Sequence, residues 1–273
     1  GFAQGYPEMY GHVDEVGVAA SIWNFFRAET LLPTEFTYPT FYSYLTASSL
    51  YLSVLLGWGP RQGSALETLV LLSYLDPARV ALVGRVLSAL LGTATVYFTF
   101  YLGRTVYDRS VGWLAASFMA LAMVPVQQAH NALPDTAMAF FAVLTFCGAW
   151  KVFAVGSGYS YLAAGAAAGL VLASKYNGAF AALAIPVAHV MRRGWSWQVL
   201  WNGKLWAAIA AAFTALFVGS PYLFLTPEKY WLLAQYQFSS LDFSLHQSLQ
   251  EVNNILVRMR ELSVQSASST ISD

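Results

Sequence analysis

Four ionisable side chains stand where chemistry could be done. Asp14 and Glu15 are adjacent carboxylates near the start of the chain, and Asp135 follows Pro134 at the head of an apolar run. Lys175 lies in a polar tetrad, Ser174-Lys175-Tyr176-Asn177, between two further apolar runs. A positioned carboxylate can take a proton in a transition state, and an ammonium can neutralise an anion as a compact point charge. Ionisable groups at membrane depth are costly and usually functional. Each also has a plain structural reading: Asp135 suits the first turn of a helix, Lys175 can snorkel to lipid headgroups, and Asp14 and Glu15 can be ordinary loop charges.

What must position these groups is a bundle of apolar helices. Of 273 residues 57% are hydrophobic and only 10% charged, and the mean hydropathy is +0.51. Soluble domains carry about 25% charged residues, so this chain has too few charges to cover a water-facing surface. Its 14 basic and 14 acidic residues cancel, leaving no global field to attract nucleic acid. The single cysteine, Cys147, can form no internal disulfide and reads as a buried, inert thiol. Nothing has the spacing of a phosphate-binding Walker loop or a zinc cluster. The chain opens at Gly1 with neither Met nor a signal peptide, which reads as a processed or truncated start.

A membrane span needs about 20 mostly apolar residues. The runs 80–102, 111–129 and 136–155 qualify, 160–173 and 178–191 are shorter, and 203–219 ends at Ser220-Pro221. Residues 41–58, apolar but rich in Tyr and Ser, suit a span or an interfacial helix. The expected fold is therefore all-α: a polytopic bundle of about six to seven membrane helices. Glycines such as Gly165 and Gly169 suit close helix packing. Arg104, Arg109, Lys151, Arg192, Arg193 and Lys204 fall at one set of helix ends, and Lys and Arg favour the cytoplasmic side. Asp14, Glu15, Asp135 and Lys175 then meet at the opposite, outer face, although Arg61, Arg79 and Arg85 fall on that side too.

Several short motifs, in this order and on this face, carry a resemblance. Gly11-His12-Val13-Asp14-Glu15 is similar to the His-Pro-Asp-Glu type motif in the first outer loop of GT-C fold glycosyltransferases, with Val13 where relatives have Pro. Further similarity lies in Phe36-Thr37-Tyr38-Pro39, Arg85-Val86-Leu87-Ser88-Ala89-Leu90, Leu102-Gly103-Arg104, Ala132-Leu133-Pro134-Asp135 and Ala173-Ser174-Lys175-Tyr176-Asn177-Gly178, covering roughly residues 6–235. These enzymes include protein mannosyltransferases and aminoarabinose transferases, which use a polyprenyl-phosphate sugar donor.

The resemblance implies transfer of the sugar to a protein, glycan or lipid acceptor at the outward face of a bacterial cytoplasmic membrane. It assigns Asp14 as catalytic base, with Glu15 orienting it or helping to hold a divalent cation where relatives use one. Asp135, Lys175, Tyr176, Arg85 and His12 become substrate-binding candidates, Lys175 and Arg85 facing the donor phosphate. Tyr38, Tyr42 and Tyr44 suit a lipid groove or an aromatic interfacial belt. Family members carry a membrane helix before the acidic loop and often a soluble outer domain, so this chain is expected to be a truncated enzyme.

The tail differs in kind. From Gln247 to Asp273 apolar residues Leu249, Val252, Leu256 and Met259 mark an amphipathic helix, and the segment resembles the conserved N-terminal helix of bacterial flagellin. The expected organisation is an outer-face loop 1–38, a membrane core 39–235, a junction 236–246 and the helix 247–273. A chimera, a convergent partner-binding helix and a tethered acceptor would each account for the join. Beside the enzyme stand a non-catalytic subunit of a larger membrane complex, an inactive chimeric fragment, and a transporter, which the lack of paired half-sequence repeats disfavours.

Overall fold

A computed structural model of the chain describes residues 13–58, 63–232 and 259, and all regular structure among them is helical. The chain divides into two compact units, residues 1–226 and 227–273. His12 and the junction and tail at 236–273, apart from Met259, lie outside the described residues, so the flagellin-like helix does too.

The first unit is built from α1 (Val13–Arg27), α2 (Phe41–Leu55), α3 (Ala65–Leu75), α4 (Arg79–Val106), α5 (Arg109–Leu121), α6 (Met123–Gln128), α7 (Asp135–Ala154), α8 (Gly158–Ser174), α9 (Ala179–Ala182), α10 (Ala184–Arg193), α11 (Trp197–Leu200), α12 (Gly203–Gly219) and α13 (Tyr222–Leu225). Two of these, α4 and α7, are long and apolar enough to cross a bilayer, whereas α8 and α12 are shorter apolar helices. Only 39% and 33% of the most apolar stretches of α4 and α7 are buried. A core helix of a water-soluble domain would be mostly buried; here Leu90, Leu114, Phe118, Phe180 and Phe213 all point outward, as lipid-facing residues do.

Local chemistry sets the helix ends. Asp108 caps α5 by accepting the Ser110 and Val111 amides, Ser157 caps α8, and Asn202 caps α12. The expected span 111–129 is broken at Ala122, whose ψ of 128° is extended. Pro125 has no amide to donate, so it sits in the first turn of a new helix, α6. Pro186 does the same in α10, and the run 178–191 divides into a 3-10 turn, Tyr176–Gly178, then α9 and α10. These two prolines interrupt their runs where membrane helices would have tolerated them inside.

Close packing along α8 comes from its small residues. A Cβ at Gly165 would collide with the Ala208 carbonyl and one at Gly169 with that of Ala212, while Gly148 faces Ala164 in the same way. The α7–α8–α12 layer is therefore held by backbone-to-backbone approach rather than by interlocking large side chains. Gly169→Leu would force α12 away from α8; overpacking of this kind costs about 1–3 kcal/mol or more. The expected result is a lower melting temperature in detergent, with no comparable loss for an exposed control such as Leu162→Ala.

Three helices cap one end of this layer. Within the stretch expected as a loop lies α1, whose Val18, Ile22, Phe25 and Phe26 bury against Leu50, Leu69 and Leu72. Trp23 donates to the Pro77 carbonyl at 3.1 Å, and Arg27 donates to Ser73. Tyr42, fully buried in α2, hydrogen-bonds the Gly84 carbonyl and the Ser88 hydroxyl of α4, both at 2.9 Å. Ser64 and Glu67 form a reciprocal cap that starts α3. Thr40 joins this cap to the end of α12 through Gly219 and Ser220.

The other end of the bundle is basic. Arg192 donates to the Phe153 carbonyl and Lys204 to that of Gly156. Cys147 is buried, as expected of an inert thiol. In the second unit, residues 227–232 are helical.

Candidate functional site

Three of the expected site residues converge beneath the cap. Asp14 lies in the first turn of α1 with its carboxylate exposed, and Tyr38 donates its hydroxyl to Oδ2 at 3.0 Å. The Tyr38 ring faces the Lys175 ammonium, 5.2 Å from its centroid, a cation–π contact. Lys175 leaves the end of α8 in an extended conformation and donates to Asp135 Oδ1 at 2.8 Å. Asp14, Tyr38, Lys175 and Asp135 thus form one chain of polar contacts across α1, the loop before α2, α8 and α7. Tyr176, next to Lys175, is exposed.

Tyr38 is the member that residue spacing did not single out as polar. Its motif, Phe36-Thr37-Tyr38-Pro39, was the available signal. Glu35 shapes the approach: its Oε1 accepts the Phe36 and Thr37 amides and the Thr37 hydroxyl, and its side chain packs on Gly17 of α1. Burial, then the charge of Asp14 and its hydrogen bond, hold the Tyr38 phenol well above the usual tyrosine range, with Asp135 and Glu35 adding to the effect. A raised phenol stays protonated, so Tyr38 remains a donor to Asp14 at any neutral or mildly alkaline pH. Tyr38→Phe is expected to cut turnover about tenfold, the worth of one hydrogen bond to a charged group, without moving an alkaline limb of the rate profile. A pH–rate series of the two proteins checks both points.

Glu15 and Arg85 sit deeper. Glu15 is 1% and Arg85 3% exposed. Arg85 Nε and Nη2 meet Glu15 Oε1 and Oε2 at 3.1 and 2.7 Å, a two-pronged pair, and the Ala132 amide adds a bond to Oε1 at 2.6 Å. The pair ties α1 to α4 and to the segment before α7. Adjacent in sequence, Asp14 and Glu15 therefore point into different surroundings: one into the open site, the other into the fold. Among the described residues no three His, Cys, Asp or Glu side chains come together to hold a metal.

Beside this network a cavity of about 570 Å³ runs between α4, α5, α6 and α7. Its wall is mainly apolar, from Gly92, Val96, Met119, Val124 and Met138, and its polar rim is Gln128, His130, Asp135 and Thr136. Asp135 belongs to both cavity and network. The buried Gln128 Oε1 and Thr136 Oγ1 have no hydrogen-bond partner among the described residues. Ligand pockets of about 300–1,000 Å³ with apolar walls and a few polar groups are the common form. Sequence reasoning had no means to see this space, because its walls come from four separate helices.

Comparison with curated proteins and with solved structures returns no match. A family model does match: that of the dolichyl-phosphate-mannose-protein mannosyltransferases, over residues 62–244. The match contains Arg85, Asp135, Lys175 and Tyr176 and leaves out Asp14, Glu15 and Tyr38. It covers about two thirds of the chain, with two helices fit to cross a bilayer inside it. The chain belongs to the dolichyl-phosphate-mannose-protein mannosyltransferase family, and is a membrane glycosyltransferase of the mannosyltransferase type.

Proposed function

We propose that the chain transfers a sugar from a polyprenyl-phosphate donor to a protein hydroxyl, at the outward face of a bacterial cytoplasmic membrane. In this reading α5–α6, α8, α9–α10 and α12 cross the bilayer with α4 and α7, while α1–α3 rest on the outer surface. The distribution of cations supports the sidedness: Arg104, Arg109, Lys151, Arg192, Arg193 and Lys204 gather at one end. Exposed Trp195, Trp197 and Trp201 lie in the same region, as an interfacial belt requires.

The observation that carries the reading is the chain of contacts from Asp14 through Tyr38 and Lys175 to Asp135, whose last member lines an apolar cavity. The prenyl chain lies in the cavity, and its phosphate rises to Lys175. An ammonium has three donors, of which Asp135 takes one, and the others meet the phosphate. The acceptor oxygen attacks the anomeric carbon. A carbon–oxygen bond forms, the bond from that carbon to the phosphate oxygen breaks, and the lipid phosphate leaves with the electron pair. Asp14 takes the hydroxyl proton. Glu15 and Arg85 are positioning residues, and Tyr176 borders the acceptor path.

The test is transfer of labelled mannose from a polyprenyl-phosphate donor to a serine- and threonine-rich peptide, in vesicles containing the full chain. Transfer that depends on Asp14 supports the proposal. Absence of transfer from folded, inserted protein overturns it and favours a non-catalytic subunit of a membrane complex.

A further inference from the structure

At the basic end, away from the Asp14 network, a second groove of about 490 Å³ opens between α4, α5, α7 and α10. Leu102, Val106, Val111, Phe146, Phe153 and Val187 make its wall almost wholly apolar. Its mouth is charged in one sense. Arg192 follows Met191, a wall residue, and donates Nη1 to the carbonyl of Phe153, another wall residue, at 2.6 Å. The guanidinium can lie there because Gly156 has no side chain; a Cβ at that position would strike the Arg192 Nε. Gly156 itself adopts a φ of +66°, which glycine takes at little cost. Lys204 donates to the Gly156 carbonyl at 2.8 Å. Two cations are thus held at the C-terminal end of α7, Arg192 on the wall residue Phe153 and Lys204 on Gly156, two residues past the helix.

Their neighbours reinforce the sign. Arg104 and Arg109 flank the wall residues Val106 and Val111, and Lys151 lies over the Tyr101 ring at 5.8 Å. The acidic residue of this turn, Asp108, is occupied in capping α5. An apolar slot ending under fixed cations is complementary to a molecule with a hydrocarbon tail and an anionic head. We propose that this groove binds an anionic phospholipid, one acyl chain lying along Phe146 and Val187 and the phosphate against Arg192 and Lys204. Arg192 offers planar donors matched to phosphate oxygens, and its bond to Phe153 limits the side-chain freedom that lipid binding would otherwise remove.

The experiment is native mass spectrometry of the full chain, released from vesicles of mixed phosphatidylcholine and phosphatidylglycerol. Wild-type protein is expected to retain phosphatidylglycerol over phosphatidylcholine by about thirtyfold, as expected for two interfacial cations. Arg192→Gln with Lys204→Gln should abolish that preference. Val187→Trp, which fills the groove and leaves every charge in place, should lower retention of phosphatidylglycerol to a similar degree. Inorganic phosphate at millimolar concentration should not displace the lipid. Equal retention of the two lipids by wild type sinks the proposal. So does undiminished retention in folded Val187→Trp, which would reduce the effect to surface attraction, or displacement by phosphate alone. Intermolecular cross-links from Val187→Cys to a second copy would overturn it in favour of a dimer interface. If the charge variant fails to fold, the groove-filling variant decides the matter. None of these readouts depends on sugar transfer.

Discussion

Asp14→Asn is expected to lower sugar transfer by about 10²–10⁴-fold, the usual worth of a positioned general base, with little change in stability. The two side chains have nearly the same shape, and Tyr38 can still donate its hydroxyl to the remaining oxygen. Asp14 is exposed, so no buried charge is stranded by the change. The cost to α1 is a carboxylate in its first turn, about 0.3–1 kcal/mol at most. The measurement is transfer at saturating donor and acceptor, beside a thermal melt of the same preparations. A full rate in the variant would move the base to Asp135 or Glu35, the other carboxylates facing Tyr38.

The second large effect is on the fold. Glu15→Gln should destabilise the protein by about 3–5 kcal/mol, because it removes the charge that balances the buried Arg85 guanidinium. Arg85→Leu should do the same by removing the counter-charge of the buried Glu15 carboxylate. Replacing both with Leu should recover much of the loss, since an apolar pair of similar volume can stand in for a buried ion pair. The recovery will not be complete: the Ala132 amide loses its acceptor, worth about 1–3 kcal/mol. Unfolding midpoints of the four proteins in one detergent give the comparison. If the single and double variants are equally unstable, the pair is not what anchors α1.

Much of the bundle was legible in residue order. The run 203–219 coincides with α12, and 136–155 differs from α7 by one residue at each end, because long apolar stretches and their caps are local signals. The gathering of Asp14, Asp135 and Lys175 followed from placing basic residues on one side. Two helices of the cap did not emerge. The acidic motif drew attention away from the four- and three-residue spacing of Val18, Ile22 and Phe25 in α1, and α3 is too short to suggest a span. Glu15 shows why side-chain fate is harder to read than helix position. Its partner Arg85 lies 70 residues away, and nothing local distinguishes it from Asp14. Tyr38 likewise has its role only because α1 and α8, distant in sequence, bring it a carboxylate and an ammonium.

The 28 residues of α4 make a rod of about 42 Å, at 1.5 Å per residue, against about 30 Å of hydrocarbon. Its first turns are clasped by α1 and α2, through Arg85 and Tyr42, so in the proposed orientation the surplus stands on the capped side. On the proposed function, Asp14, Tyr38, Lys175 and Asp135 are lifted there into the ionic atmosphere of the lipid headgroups rather than the dry interior. Dissolved salt reaches charges in that layer, with a screening length of about 8 Å at physiological ionic strength. Donor capture by Lys175, as proposed, should therefore weaken as salt rises, while the buried Glu15–Arg85 clasp holds.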